Sequence, residues 1–115
     1  MSDISKELVA ATSIPIILAI LNKEENYGYE IIKQVKEASG GKLQFSDGTL
    51  YPILRKLEDK ELISSEWRIA DNDKRRRYYI ITSKGQDQFK KEKVTWEFMY
   101  ALLNNLWNQS KIDLA

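Results

Sequence analysis

The chain has 115 residues, 43% of them apolar, with 18 basic and 17 acidic side chains and a formal charge of +1. That is one domain's worth of chain with enough apolar material for a core, and three Trp, six Tyr and three Phe argue against disorder. The absence of Cys and His excludes disulfide frameworks, Cys/His zinc sites, thiol nucleophiles and Ser-His-Asp catalysis, so no metal, cofactor or catalytic residue is expected.

From the N-terminus, Met1 to Lys6 carries Asp3 and no basic stretch, and no signal peptide is read there. The first predicted element runs from about Ile4 to Lys23, with Ile4, Leu8, Ala11, Ile14, Ile17, Leu18 and Leu21 at helical spacing. Pro15 lies inside it and is expected to kink the helix near Ala11 or Thr12. The longest apolar run, Ile14 to Leu21, has eight residues. A membrane span needs roughly twenty, so a cytoplasmic chain is expected.

Asn22 to Asn26 is a polar break, after which Ile31, Ile32, Val35 and Ala38 outline a short amphipathic helix stopped by Gly40-Gly41. A third helix follows, with Leu50, Ile53, Leu54 and Leu57 as its buried stripe and Tyr51, Arg55, Lys56 and Asp59 outside. Its start is open. Thr49 as N-cap puts Pro52 at the third helical position, whereas Ser46 as N-cap puts the proline deeper, where it bends the helix.

Leu62 to Ile69 and Arg77 to Thr82 are rich in β-branched and aromatic residues, and Ala70 to Arg76 between them is turn-forming and then basic. The pattern predicts a two-stranded hairpin with a charged tip. Ser83-Lys84-Gly85-Gln86 has the form of a capping box and opens a helix reaching about Asn108. The fold class is mainly α with a small β-hairpin: a winged helix-turn-helix over residues 1–82, then a long C-terminal dimerisation helix over 83–115. The first helix is expected to share the dimer interface.

Charge is segregated along this order. Residues 1–41 sum to −2, 42–91 to +4 and 92–115 to −1, so a basic middle points to a polyanion. In a winged helix the third helix enters the DNA major groove and the hairpin lies along the backbone. Thr49, Tyr51, Arg55 and Lys56 supply the polar and cationic groove face, and Lys74, Arg75, Arg76 and Arg77 supply wing cations for phosphates. Strand alternation lets at most two of those four wing cations face one way.

Phe89, Trp96, Met99, Leu103 and Leu106 form an a/d-like seam on the last helix, broken by Glu92, and Tyr100, Leu102 and Trp107 broaden it. With Leu8 and Ala11 of the first helix they make the expected interface of a two-fold dimer on a palindromic operator. Trp96 has two readings: interface packing, or a flat wall that stacks planar apolar ligands. The rival overall reading is a winged helix that contacts proteins, which would have a neutral wing. Glu24, Glu25, Glu58 and Asp59 have no nucleophile, base or glycine loop beside them, so catalysis is rejected.

Tyr27-Gly28-Tyr29-Glu30-Ile31, Gly48-Thr49-Leu50-Tyr51-Pro52 with Leu54, Arg55, Leu57 and Glu58, then Arg76-Arg77-Tyr78-Tyr79 and Thr82-Ser83-Lys84-Gly85 together resemble the PadR family of bacterial transcriptional regulators, over nearly the whole chain. The short ending is similar to a compact, multidrug-responsive subgroup of that family. The resemblance implies a homodimeric winged-helix repressor, relieved by an aromatic or cationic small molecule. Its DNA contacts carry over to Thr49, Tyr51, Arg55 and Lys56 and to the basic wing. The ligand pocket it implies lies between subunits, at Leu8, Pro15, Trp96, Met99 and Tyr100.

Overall fold

The computed structural model describes residues 4–114, with side chains through residue 109, so the reading of Met1 to Asp3 lies outside the described residues. The order is α1 (Lys6–Lys23), β1 (Asn26–Tyr27), α2 (Gly28–Ala38), α3 (Asp47–Asp59), β2 (Ile63–Ile69), β3 (Arg75–Ile81) and α4 (Ser83–Leu114). The helices are where the periodicity puts them, except that α4 continues past the expected end near Asn108 to Leu114, and local chemistry accounts for several of their ends. Ser5 caps α1 by accepting from Leu8 N at 3.2 Å. The helix runs through Pro15 without interruption. Next to the proline, buried Ser13 turns its hydroxyl onto Ala10 O at 2.9 Å, so its burial leaves no orphan.

At the end of α2, Gly40 and Gly41 take φ of +64° and +84°. Gly41 N bonds Lys36 O at 2.8 Å and Gly40 N bonds Glu37 O at 3.2 Å, the paired 6→1 and 5→2 bonds of a Schellman stop. The end of α3 repeats the motif, Leu62 N to Leu57 O at 3.0 Å and Glu61 N to Glu58 O at 2.9 Å. Here Glu61 itself takes the left-handed φ of +62°, a conformation that costs a non-glycine residue about 1–2 kcal/mol.

Three expectations are corrected. The hairpin is part of a three-stranded antiparallel sheet in the order β1-β3-β2, because Asn26 and Tyr27 pair with Tyr79 and Tyr78. Within it, β3 starts at Arg75, two residues before the expected Arg77, so Arg75 and Arg76 are strand residues paired with Ile69 and Arg68 and not part of the tip. The N-cap role at α4 falls to Thr82, which precedes the helix and accepts from Gly85 N at 3.0 Å while donating to Glu61 O at 2.7 Å; Ser83 is the first helical residue. A side chain that satisfies two backbone groups at once outcompetes one that satisfies a single amide.

The start of α3 is also decided. Ser46 is the cap, accepting from Thr49 N at 3.2 Å, and Pro52 therefore lies at the sixth helical position. The core joins Ile17, Leu18 and Leu21 of α1, Ile31 and Val35 of α2, Leu50, Leu54 and Leu57 of α3, and Ile63 and Tyr79 of the sheet. It leaves the outer side of α3 and one face of the β2–β3 wing looking into the same groove. Two glycines set the spacing. A Cβ on Gly28 would collide with the Tyr51 phenol, and one on Gly85 would collide with the Leu62 carbonyl.

Candidate nucleic-acid interface

The buried stripe of α3 repeats at three and four residues, which turns Tyr51, Arg55 and Asp59 outward on one side. Alternation in the paired strands turns Ser65, Trp67 and Ile69 of β2 and Arg75, Arg77 and Tyr79 of β3 to a common face. These two surfaces, with Lys74 and the start of α2 at Tyr27 to Tyr29, enclose an open groove of about 990 Å³.

The groove has an internal fastening. Glu58 of α3 accepts from Ser65 Oγ at 2.7 Å and pairs with Arg77 at 3.4 Å, and Arg77 Nε donates to Ser65 Oγ at 2.8 Å. Helix and wing are thereby tied, and the Arg77 charge is compensated. By contrast, Arg55, Lys74 and Arg75 form no ion pair among the described residues and leave the groove with uncompensated positive charge. Tyr79, buried at the groove floor, has its phenol pKa raised, mainly by that burial, with Arg77 acting in the opposite direction.

The opposite face of the wing is closed on itself. Arg68 pairs with Glu25 and, at 3.3 Å, with Glu66, and its guanidinium lies 4.7 Å from the centre of the Tyr78 ring. Tyr78 meets Tyr27 edge to face at 5.4 Å, and Arg76 stacks on Tyr27 at 4.4 Å. The hydrogen bond from Arg68 holds the Glu25 carboxyl below its ordinary value, and Glu25 and then Glu66 raise Arg68.

The site residues expected from sequence therefore separate. Tyr51, Arg55, Lys74, Arg75 and Arg77 meet at the groove, with Arg76 at its edge on the other face of β3. Thr49 and Lys56 lie around α3 on the side of α1, in a separate cleft with Ile4, Val9 and Ile53. Sequence reasoning missed Trp67 and the Glu58–Ser65 fastening. A tryptophan in strand alternation with the basic run is the signal that would have found the first; nothing local marks the second.

On α4, Phe89 packs against the chain's own core. Leu8, Ala11, Met99, Tyr100, Leu103 and Leu106 are exposed, and Pro15 and Trp96 are half-buried. Glu92, the break in the seam, accepts from Trp96 Nε1 at 3.2 Å and from Gln88 Nε2 at 3.0 Å, so the charged residue orients the indole. A second apolar stripe escaped the sequence reading. Val94 and Phe98, 67% and 64% exposed, continue to Leu102 at four-residue steps, on the side of α4 away from Trp96.

Residues 17–91 match the family described as Transcriptional regulator PadR-like. An uncharacterized protein of Lysinibacillus sphaericus is 34% identical over 71 residues, 62% of this chain and 65% of its own length. Transcriptional regulator YqjI of Escherichia coli (strain K12) is 30% identical over 70 residues, 61% of this chain and 32% of its own. The matched stretch thus spans just under two thirds of the first of these relatives and about a third of the second. A transcriptional regulator from Clostridium thermocellum superposes with a TM-score of 0.79 at 29% identity, covering 87% of this chain and 97% of the other.

Proposed function

The chain belongs to the PadR-like family of transcriptional regulators, whose members bind DNA, commonly act as dimers and are not enzymes, and we propose that it is a cytoplasmic homodimeric repressor of a palindromic operator. The observation that carries this reading is the shared groove. The exposed side of α3 presents Tyr51 and Arg55 opposite the uncompensated Lys74 and Arg75 of the wing. A helix in the major groove and a cationic strand pair along the backbone need that arrangement.

In this reading residues 1–82 carry the DNA contacts and 83–115 the dimer contacts, with Leu8 and Ala11 of α1 joining Trp96, Met99, Leu103 and Leu106. Two copies of α3 then sit about one helical turn of DNA apart, roughly 34 Å. The exposed apolar length of α4 supports dimerisation, because a helix this apolar is stabilised by burying it. A ligand response rests on Trp96, whose indole is held by Glu92. Between subunits it would form, with Met99, Tyr100, Leu8 and Pro15, a wall for planar aromatic molecules.

The test titrates the protein against the DNA upstream of its own gene and against a scrambled duplex, at two salt concentrations. Preference for the upstream fragment with steep salt dependence is expected. Tyr51→Ala or Arg55→Ala should cost about 1–3 kcal/mol on that fragment and less on the scrambled one, if each reads a base. Equal affinity for both duplexes would point to an operator elsewhere or to the protein-contact reading. Quenching of tryptophan fluorescence by planar aromatics, with loss of DNA, would support the ligand response.

A further inference from the structure

Trp67 is 55% exposed on the wing, whereas Ile63, four residues earlier on the same strand, is buried. It is directly opposite Arg77, and the next pair on the same face is Ile69–Arg75, at the turn end of the hairpin. Two guanidinium groups lie over its ring, Arg75 at 4.9 Å and Arg77 at 5.8 Å from the centroid. They are not equivalent. Arg77 is already held by Glu58 and Ser65, whereas Arg75 has no ion pair among the described residues and the indole is what holds it.

We propose that Trp67 is a positioning residue of the DNA interface: its indole is the platform that holds the Arg75 guanidinium toward the phosphate backbone. This rests on the reading of the groove as a DNA site. Tryptophan is the aromatic that attracts a cation most strongly. A flexible arginine stacked on a rigid ring has surrendered part of its rotamer freedom before DNA arrives, so less is lost on docking. Packing alone does not explain the position, since Trp67 and Ile69, 73% exposed, project beyond the core.

The experiment measures affinity for a random-sequence 30-base-pair duplex across a salt series, so that no operator need be known. Arg75→Ala should weaken binding and lower the slope of log affinity against log salt by about 0.9, the value of one phosphate contact. Trp67→Ala should weaken binding about three- to tenfold, with Trp67→Phe recovering most of the loss. In the Arg75→Ala background Trp67→Ala should change affinity less than about twofold, because the two act through one contact. Thermal unfolding of each variant separates this from a folding defect, to which the Phe variant is the less exposed. Wild-type affinity in Trp67→Ala, or losses that multiply in the double variant, would overturn the proposal. No duplex binding by the wild-type protein would instead overturn the DNA reading, and this inference with it.

Discussion

The groove between α3 and the wing and the outer length of α4 are both exposed, but they differ in kind. The groove is finished within one chain: Glu58, Ser65 and Arg77 satisfy each other, Trp67 carries Arg75, and its remaining cations are well solvated. The α4 surface is unfinished, with Val94, Phe98, Leu103 and Leu106 showing apolar area to water. A polar surface that awaits a polyanion can be complete while empty, because water serves its charges until phosphate replaces it. An apolar one cannot, since every square ångström left in water forgoes about 25 cal/mol.

The sharpest way to break this comparison is to charge the apolar surface. Leu103→Asp with Leu106→Asp should abolish dimerisation, seen by sedimentation, and lower affinity for a palindromic site on the order of 100-fold or more, since buried unpaired carboxylates are strongly unfavourable. The groove should survive in that variant, with random-duplex binding per chain little changed. A dimer that persists would place its interface elsewhere on the chain.

Next in size are the two crowded glycines. At Gly85 an added Cβ meets the backbone of Leu62, which cannot move aside, so Gly85→Ala should cost about 2–3 kcal/mol in denaturant unfolding. At Gly28 the obstacle is the far end of the Tyr51 side chain, which can swing away. Gly28→Ala should therefore cost less stability and show chiefly as lost DNA affinity. Equal stability losses would mean that Tyr51 is fixed as firmly as backbone.

A smaller change serves as a control on both surfaces. Glu61→Gly relieves a left-handed φ at the end of α3 without touching groove or seam, and should stabilise the protein by about 1 kcal/mol with DNA binding unaltered. The smallest effect is visible only in alkali. The raised pKa of Tyr79 leaves stability intact below the ordinary tyrosine value of 10.0 and removes it as pH climbs from there through the folded-state value. Tyr79→Phe should flatten that alkaline loss in a pH series of unfolding midpoints.

What the sequence by itself determined is the set of helices and their order. Helix signals are local: the stripe of Leu50, Leu54 and Leu57, the cap at Ser5 and the Gly40–Gly41 stop each act within a turn or two of chain. The outward side of α3 followed, and so Tyr51 and Arg55 were legible as a pair. Tertiary structure alone decided whatever depends on partners distant in sequence. The two-residue strand β1 exists because Tyr78 and Tyr79, some fifty residues on, offer it an edge. Thr82 took the cap from Ser83 because the Glu61 carbonyl lies within its reach. The division of three consecutive arginines, with Arg75 on Trp67, Arg77 bound to Glu58 and Arg76 turned to Tyr27, follows from the register of β2 on β3. Register is a choice among long-range pairings of similar local energy, settled by which side chains the whole fold can bury.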